Sequence, residues 1–503
     1  MADMDTRDTQ AKLQGLDDAQ RAAATALDGP VRIIAGAGAG KTRTVTRRIA
    51  YACAKGEWDP SRTLAVTFSV KAADEMRQRL ASLGVAGQVT AATFHSAALH
   101  QLRKVWYDIS IAPFPHVIAD PQEIIARALK RATGSDQYDG IARRDLLAEI
   151  NWAKVSLIAP EDYQRVCAAT HRMPPAGLDP QRFTDVYTCY EQEKTSRGEM
   201  DFNDILLLTC HVLGGFEEQA AQIQQSVGWL TVDEYQDVSP LQHRLMDLWL
   251  GDNRNVCVVG DPAQTIYSFA GASSYDLLNF AGEFGDLRAD INLNTDYRST
   301  PQVVSMANRV LASAPDRDQY LRLVSARDKG EGMRVVKTAY DSDAEEAQGV
   351  AGRIAQFVAQ GAKPSQCAVL TRLNAQQQVV CKALKSQGIA YRTRHDVGVQ
   401  DTVLQDDNES RREAMEILAS RREPGVTVSS IHAAKGLEFK HVFIIGCSEG
   451  LLPYGSPAPG DALEEERRLF YVAVTRAEDS LHLSYARSKD GVSTFSRTPS
   501  RFW

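Results

Sequence analysis

Short apolar, β-branched runs alternate along this chain with stretches in which apolar residues recur every three to four positions. The first kind lies at 31–34, 63–68, 88–93, 229–232 and 255–259, and again at 333–337, 367–371, 426–430, 441–446 and 480–485. Helix-period stretches such as 71–80 and 241–250 fall between them. Such alternation predicts an α/β fold with parallel sheets. The runs form two sets, so two parallel-sheet cores are expected, each about the size of one α/β domain. From 95 to 199 the pattern is almost wholly helical, with breakers at Pro113, Pro115, Pro174 and Pro175, and reads as a helical subdomain inserted into the first core. Asp201-Phe-Asn-Asp-Ile205 marks the return. The segment 394–424, polar and acidic in its middle, reads as a strongly reduced excursion from the second core. The expected plan is therefore 1–94 with 200–285 for the first core, 95–199 for the helical subdomain, 286–393 with 425–503 for the second core, and 394–424 for the reduced insertion.

Composition narrows the class without naming it. The chain has 503 residues, 44% hydrophobic and 24% charged, enough for several soluble domains. No apolar run approaches membrane-spanning length and 1–14 is polar, so neither a membrane nor a secretory signal is expected, and a cytoplasmic setting is. Eight scattered cysteines include no C-x-x-C and read as small buried thiols. A net charge of −7 argues against coating nucleic acid by bulk electrostatics. It leaves room for a local basic groove, to which Arg47-Arg48, Arg103-Lys104, Lys130-Arg131, Arg143-Arg144 and Arg421-Arg422 are candidates. Each pair alone reads more readily as a solvated helix face.

Chemistry enters at Ala35-Gly-Ala-Gly-Ala-Gly-Lys-Thr42. Glycines let consecutive backbone N–H groups turn around phosphate oxygens, and the following helix presents its positive end to the same anion. Gly36, Ala37, Gly38, Ala39 and Gly40 would form that cradle, Lys41 would supply charge at the β and γ phosphates, and Thr42 would ligate Mg²⁺. Ala35 stands where the strict pattern G-x-x-x-x-G-K-[ST] has its first glycine. A turn that merely joins strand to helix has no need of the Lys-Thr pair.

The apolar Gly228-Trp-Leu-Thr-Val232 leads into Asp233 and Glu234, carboxylates placed at the C-terminal edge of a parallel strand. Asp233 is expected in the Mg²⁺ shell, and Glu234 as the base that orients or deprotonates water. Alone, two adjacent acids would be a surface loop. Downstream of a phosphate loop they read as a Walker B pair, and the chemistry as nucleoside triphosphate hydrolysis.

These motifs stand in a longer series. In order come Gln20, the phosphate loop, Ala65-Val-Thr-Phe-Ser-Val-Lys-Ala-Ala73, Thr93-Phe-His-Ser96, Val232-Asp-Glu-Tyr-Gln-Asp237, Val259-Gly-Asp-Pro-Ala-Gln-Thr-Ile-Tyr267, Asp296-Tyr-Arg-Ser-Thr300, Ile431-His-Ala-Ala-Lys-Gly-Leu-Glu-Phe439 and Tyr471-Val-Ala-Val-Thr-Arg-Ala477. The series resembles the UvrD/Rep/PcrA group of superfamily 1 DNA helicases over nearly the whole chain, and 260–269 looks closest to actinobacterial UvrD-like members. The resemblance implies two RecA-like cores.

It also implies roles. Arg298 and Arg476 match arginines that reach across the cleft to the γ-phosphate. Gln20 is similar to the adenine-reading glutamine, Tyr297 to the base-stacking aromatic and Arg43 to a further adenine contact. Gln264 matches a γ-phosphate sensor linked to the DNA track, and Glu438 a ribose-side or coupling contact. Phe68 and Phe269 are candidate stacking platforms for single-stranded DNA, with core packing as the plainer reading of each. Lys71 and Tyr267 fall in matching DNA-contact blocks, and Thr93, His95, Ser96 and His432 are candidate phosphate contacts.

Two departures, Val70 where the family often has Asn and Ala263 where Asp is common, bear on DNA contacts rather than hydrolysis. Full-size relatives carry a substantial second helical subdomain where 394–424 stands. The expectation is a trimmed ATP- and Mg²⁺-dependent motor, monomeric, moving 3′ to 5′ on single-stranded DNA and acting at single/double-strand junctions in repair, replication or recombination. Two alternatives stand beside it: a translocase that strips proteins without useful unwinding, and a motor subunit of a nuclease, repair or phage-defence complex whose partner cleaves.

Overall fold

The computed structural model describes residues 9–394, 425–489 and 496–503, apart from 86, 136, 269, 270, 329 and 331. Phe269 and, except for Arg394, the expected insertion at 394–424 lie outside the described residues.

Six strands, β1 (Val31–Ala35), β2 (Thr63–Thr67), β3 (Thr90–Thr93), β4 (Trp229–Val232), β5 (Val256–Gly260) and β6 (Ala289–Leu293), form the first sheet in the order β3-β2-β4-β5-β1-β6. Every pairing in it is parallel. The central strands are apolar on both faces because helices cover both sides, as a parallel sheet requires. Adjacent β4, β5 and β1 end at Asp233, Asp261 and the phosphate loop, so three chemistry-bearing turns meet at one sheet edge.

Two expected boundaries need correction. Ala289–Leu293 was assigned to the second core, yet it pairs with β1 from Val31–Ala289 to Ala35–Leu293. It is an edge strand that alternates polar with apolar residues, so it lacks the continuous apolar run of its neighbours. Asp290 on it holds Arg32 of β1 at 2.7 Å. The helix Phe94–Ile109, placed in the helical subdomain, instead buries Leu99, Leu102 and Val105 in the same cluster as Leu230 and Val232 of β4. The subdomain's own core begins later, around Ile124, Leu146, Tyr163 and Phe183. Its helices Pro121–Thr133, Pro160–Thr170 and Pro180–Ser196 each start with proline at a position that lacks an intrahelical N–H partner anyway.

A buried charge cluster ties that subdomain to the first core. Lys154 and Lys194, both 2% exposed, donate to Asp201 Oδ2 at 2.6 and 2.8 Å and to Asp204 at 2.5 Å each. Asp201 and Asp204 also form the capping box of the helix Phe202–Gly215.

The second sheet comprises β7 (Val336–Ser342), β8 (Cys367–Thr371), β9 (Tyr391–Arg394), β10 (Val426–Ser430), β11 (Phe439–Ile444) and β12 (Ala477–Ser488), in the order β7-β12-β11-β8-β10-β9 and parallel throughout. The α/β class with two parallel-sheet cores is thus as expected. No described helix is long and apolar enough to cross a membrane, and the eight cysteines are free.

Candidate functional site

The phosphate loop is built by conformations that only some residues tolerate. Gly38 and Gly40 have φ of +70° and +78°, and a Cβ on Gly38 would stand 2.0 Å from Asp296 Oδ1. Gly36 is closed in another way, since its Cβ would meet Leu323 at 2.2 Å. Ala35, by contrast, is the last residue of β1 in ordinary strand conformation, so no glycine is needed there. The loop hands over to the helix Lys41–Ala54 through Gly40. Lys41 Nζ donates to the Ala35 carbonyl at 3.3 Å, folded back over the cradle it would share with phosphate.

Thr42 and Asp233 come together across the sheet edge, Oγ1 to Oδ2 at 3.5 Å. Octahedral Mg²⁺ with bonds of about 2.1 Å places neighbouring ligands about 3 Å apart, so this pair fits one edge of such a shell after a small shift. The charge also fits. Burial and then Glu234 push the Asp233 carboxyl upward, and a divalent cation would restore its ionised form. Glu234 shows the opposite balance: burial works to raise it, but Lys41, Lys435, the Gln236 hydrogen bond and Arg476 together hold it below its ordinary value. Its backbone sits in the left-handed region, at φ +55°.

Lys435 of the second core closes the site, meeting first-core groups of which Gln236 and Asp237 were likewise not singled out from the sequence. Lys435 donates to Asp237 Oδ2 and, at 2.7 Å, to the Gln264 carbonyl. Gln236 bridges the first-core loops, donating to Glu234 Oε2 at 2.5 Å and accepting from Asp261 N at 2.9 Å. Gln264 donates to Asp261 Oδ2 at 2.8 Å and accepts from Arg476 at 3.4 Å. Lys435, Asp237 and Gln236 lie inside quoted motifs, so the motif text was the available signal. What it lacked was the partner, which is up to 198 positions distant.

The arginines differ from one another. Arg476 is 3% exposed and donates to the carbonyls of Val472 at 3.0 Å and Leu437 at 3.2 Å. Burial and then Arg298 bring its guanidinium down to about 10. Arg298 donates to Glu438 and, at 2.8 Å, to the Thr475 carbonyl. Glu438, expected as a ribose-side or coupling contact, is engaged with Arg298.

At the base side, Gln20 is buried and doubly used: Nε2 donates to the Ala39 carbonyl at 2.9 Å, and Oε1 accepts from Asp17 N at 3.2 Å. Tyr297 is 43% exposed and hydrogen-bonds Asp17 through its hydroxyl. Arg43 donates to the Gly15 carbonyl at 2.7 Å.

The DNA candidates divide. Phe68 and Tyr267 stack at 5.7 Å with planes 12° apart, and Tyr267 donates to the His432 carbonyl of the second core at 3.3 Å. Lys435 lies 4.9 Å over the Tyr267 ring. Burial, then Arg372 and Lys435, lowers His432 to about 4, leaving it neutral among cations. Lys71 is exposed in the first turn of the helix Val70–Ser82. Thr93 and His95, expected at phosphates, are instead buried side chains. Thr93 is buried and its Oγ1 caps the helix through Ser96 N at 3.1 Å. His95 is 7% exposed with its ring stacked on Phe202 at 4.1 Å. The helix begins at Phe94, which rotates residue 95 inward; Ser96 stays half-buried beside Thr93.

Two parallel sheets, one phosphate loop and a carboxylate edge closed by basic residues from the other sheet define a two-core P-loop nucleotide hydrolase. The family model of the UvrD/REP helicase N-terminal domain matches residues 16–285, and that of the UvrD-like helicase C-terminal domain matches 291–402 and 399–488. The ATP-dependent DNA helicase UvrD2 of Mycobacterium tuberculosis is 39% identical over 97% of this chain and 81% of its own length. PcrA helicases are also similar, that of Bacillus subtilis at 33% identity over 75% of this chain and 50% of its own, and that of Staphylococcus aureus at 26% over 95% and 84%. The chain belongs to the UvrD/Rep helicase family and is an enzyme of that class.

Proposed function

We propose that this chain is an ATP- and Mg²⁺-dependent motor that moves 3′ to 5′ along single-stranded DNA and separates strands at a junction. The observation that carries this reading is the convergence of Lys435 and Arg476 from the second core on Asp237 and Gln264 of the first. Hydrolysis whose machinery is split between two cores responds to their separation, and a stacked aromatic pair at the same junction would feel that motion.

In this reading Lys41 neutralises the β and γ phosphates, and Thr42 with Asp233 holds Mg²⁺, which when bound screens charge on the transferring group. Glu234, kept ionised by Lys41 and Lys435, accepts the proton of the attacking water. Arg476 reaches the developing charge from beside Gln264, and Arg298 joins it by leaving Glu438 as the cores close on nucleotide. Gln264 carries the signal because it touches Arg476, Asp261 and Lys435 at once. Gln20, Arg43 and Tyr297 frame the adenine. Phe68, Tyr267 and His432 form the track at which bases stack, with Lys71 on its phosphate side.

The test is unwinding of matched 3′-tailed and 5′-tailed duplexes by the isolated chain with ATP and Mg²⁺. Separation only of the 3′-tailed substrate is expected, and preference for the 5′ tail would overturn the polarity. Streptavidin displacement from single strands without duplex separation would favour protein stripping.

A further inference from the structure

On the far side of the Walker B turn, three carboxylates surround one imidazole. His243 and Asp247 lie one turn apart on the helix Pro240–Leu250, and Glu283 reaches them from the helix Phe280–Phe284. His243 Nε2 stands 2.9 Å from Glu283 Oε1 and 3.8 Å from Asp247 Oδ2, and Asp276 Oδ2 is 3.9 Å from Nδ1. The donor atoms of His243, Asp247 and Glu283 all lie within 4.8 Å of one another. Among the described residues no lysine or arginine forms an ion pair with these carboxylates. A second acidic cluster among the described residues, Glu191 with Asp201 and Asp204, is in contrast filled by Lys154 and Lys194.

The imidazole is held at both nitrogens. Its Nδ1 hydrogen-bonds the hydroxyl of Tyr235 at 2.8 Å, and Tyr235 is fully buried. In the structure Nε2 shares a proton with Glu283 Oε1; a bound cation would take the place of that proton while Nδ1 donates to Tyr235, the arrangement by which a hydrogen-bond partner orients a metal-bound histidine. The Tyr235 ring meets Phe280 edge-on at 6.1 Å, so the same residue sets the helix that carries Glu283. Tetrahedral zinc with bonds of about 2.0–2.1 Å needs its ligand atoms about 3.3 Å apart. The present separations of 2.9 and 3.8 Å bracket that value.

We propose that His243, Asp247 and Glu283 form a binding site for a divalent transition ion of the Zn²⁺ class, separate from the nucleotide's Mg²⁺. An imidazole with two carboxylates suits zinc or cobalt over magnesium, which takes oxygen ligands. The partial exposure of Asp247 and Glu283, 34% and 33%, leaves an entry path and a fourth position for water. Tyr235 neighbours Glu234 in sequence, so occupancy of this site fixes the turn from which the hydrolytic carboxylate projects.

The experiment is calorimetric titration of nucleotide-free full-length chain with Zn²⁺, repeated with Co²⁺ read by its visible absorption. Asp233→Asn serves as the background that removes the proposed Mg²⁺ ligand. One equivalent of Zn²⁺ is expected in wild type and in Asp233→Asn, with affinity at least about tenfold lower in His243→Gln and in Glu283→Gln, and Co²⁺ giving a four-coordinate spectrum that His243→Gln loses. Glu283→Gln lies at the surface and keeps the measurement valid should His243→Gln fold poorly. Zinc bound equally by wild type and both variants, or not bound at all, would overturn the site. Binding lost only in Asp233→Asn would place the ion at the nucleotide cleft and overturn it likewise.

Discussion

Lys435 reaches from the second core to the buried carboxylate of Asp237 in the first, an ion pair across the cleft in which hydrolysis is proposed. Burial first, against the pull of Lys435, puts the Asp237 carboxyl up at about 6. Removing one member of a buried pair commonly costs about 3–5 kcal/mol. Here Asp237 can escape part of that cost by taking a proton. Lys435→Met should therefore fold, melt somewhat lower, and lose most DNA stimulation of ATPase while still binding ATP. Lys435→Met with Asp237→Asn should recover the melting temperature without recovering stimulation. Full stimulation in the double variant would show that the pair merely holds the cores together.

Lys41→Ala should abolish turnover without unfolding the chain, because the side chain's recorded hydrogen bond is a single 3.3 Å contact to Ala35. Glu234→Gln should retain nucleotide binding and lose hydrolysis, since an amide keeps the shape but takes no proton. Both are read by steady-state ATPase beside fluorescent-nucleotide binding. Turnover near normal in Glu234→Gln would move the base elsewhere.

Arg298 and Arg476 should separate in their effects. Arg298 is anchored by Glu438 and one carbonyl, so Arg298→Ala should lower kcat by about 10³-fold or more with little change in melting or in KM for ATP. Arg476 is built into its surroundings through Val472 and Leu437, so Arg476→Ala should lower both kcat and stability. Arg476→Lys keeps a charge but not the planar fork, and should spare stability more than kcat. A loss seen wholly in nucleotide binding would exclude a transition-state role for either.

The parts legible in sequence were those whose cause is local. A phosphate loop needs glycines and a Lys-Thr pair within eight residues, and β4 announces its carboxylates by an apolar run. The misreadings arose where tertiary context decides. The edge strand Ala289–Leu293 is half polar because one flank is free, and only its pairing with β1 reveals the core to which it belongs. His95 sits in a motif beside polar neighbours, but the helix phase set by capping at Thr93 turns it inward onto Phe202. Lys435 stands inside a motif, but nothing in the motif text points to its partner Asp237, which is distant in sequence.

Burial of His95 has a pH consequence. Its imidazole is lowered to about 3 by desolvation, with only partial relief from Asn203 and Asp201. The folded form stays neutral through the range in which an unfolded histidine, with a value of about 6.5, takes up its proton. Acidification below that value therefore favours the unfolded chain. The stability this residue contributes is intact above pH ~6.5 and drains as pH falls toward 3, at up to about 1.4 kcal/mol per unit. His95→Phe, which cannot titrate and can still stack on Phe202, should melt with a shallower pH dependence than wild type between pH ~6.5 and ~4.5. Parallel melting curves over that interval would mean that the imidazole is solvated after all.

Phe68 and Tyr267 stack face to face, so each is a different probe of the same surface. Phe68 is half-buried, and its stack on Tyr267 lies within the first core. Phe68→Ala should weaken single-stranded DNA binding by about 1–3 kcal/mol, equally for oligo(dT) and oligo(dA), because stacking reads the face of a base and not its edge. Basal ATPase should stay near wild type, since the ring stacks on Tyr267 and Phe68 lies outside the phosphate loop and its carboxylate edge. Tyr267→Phe keeps the stack but deletes the hydroxyl that reaches the His432 carbonyl. It should leave DNA affinity nearly unchanged and reduce the stimulation of ATPase by DNA, because it removes a link between the stacking surface and the second core. Fluorescence anisotropy with both oligonucleotides, set beside ATPase with and without DNA, separates the two. Unchanged affinity in Phe68→Ala would return that ring to simple packing, and loss of affinity in Tyr267→Phe equal to that in Phe68→Ala would mean that the hydroxyl, and not the stack, holds the strand.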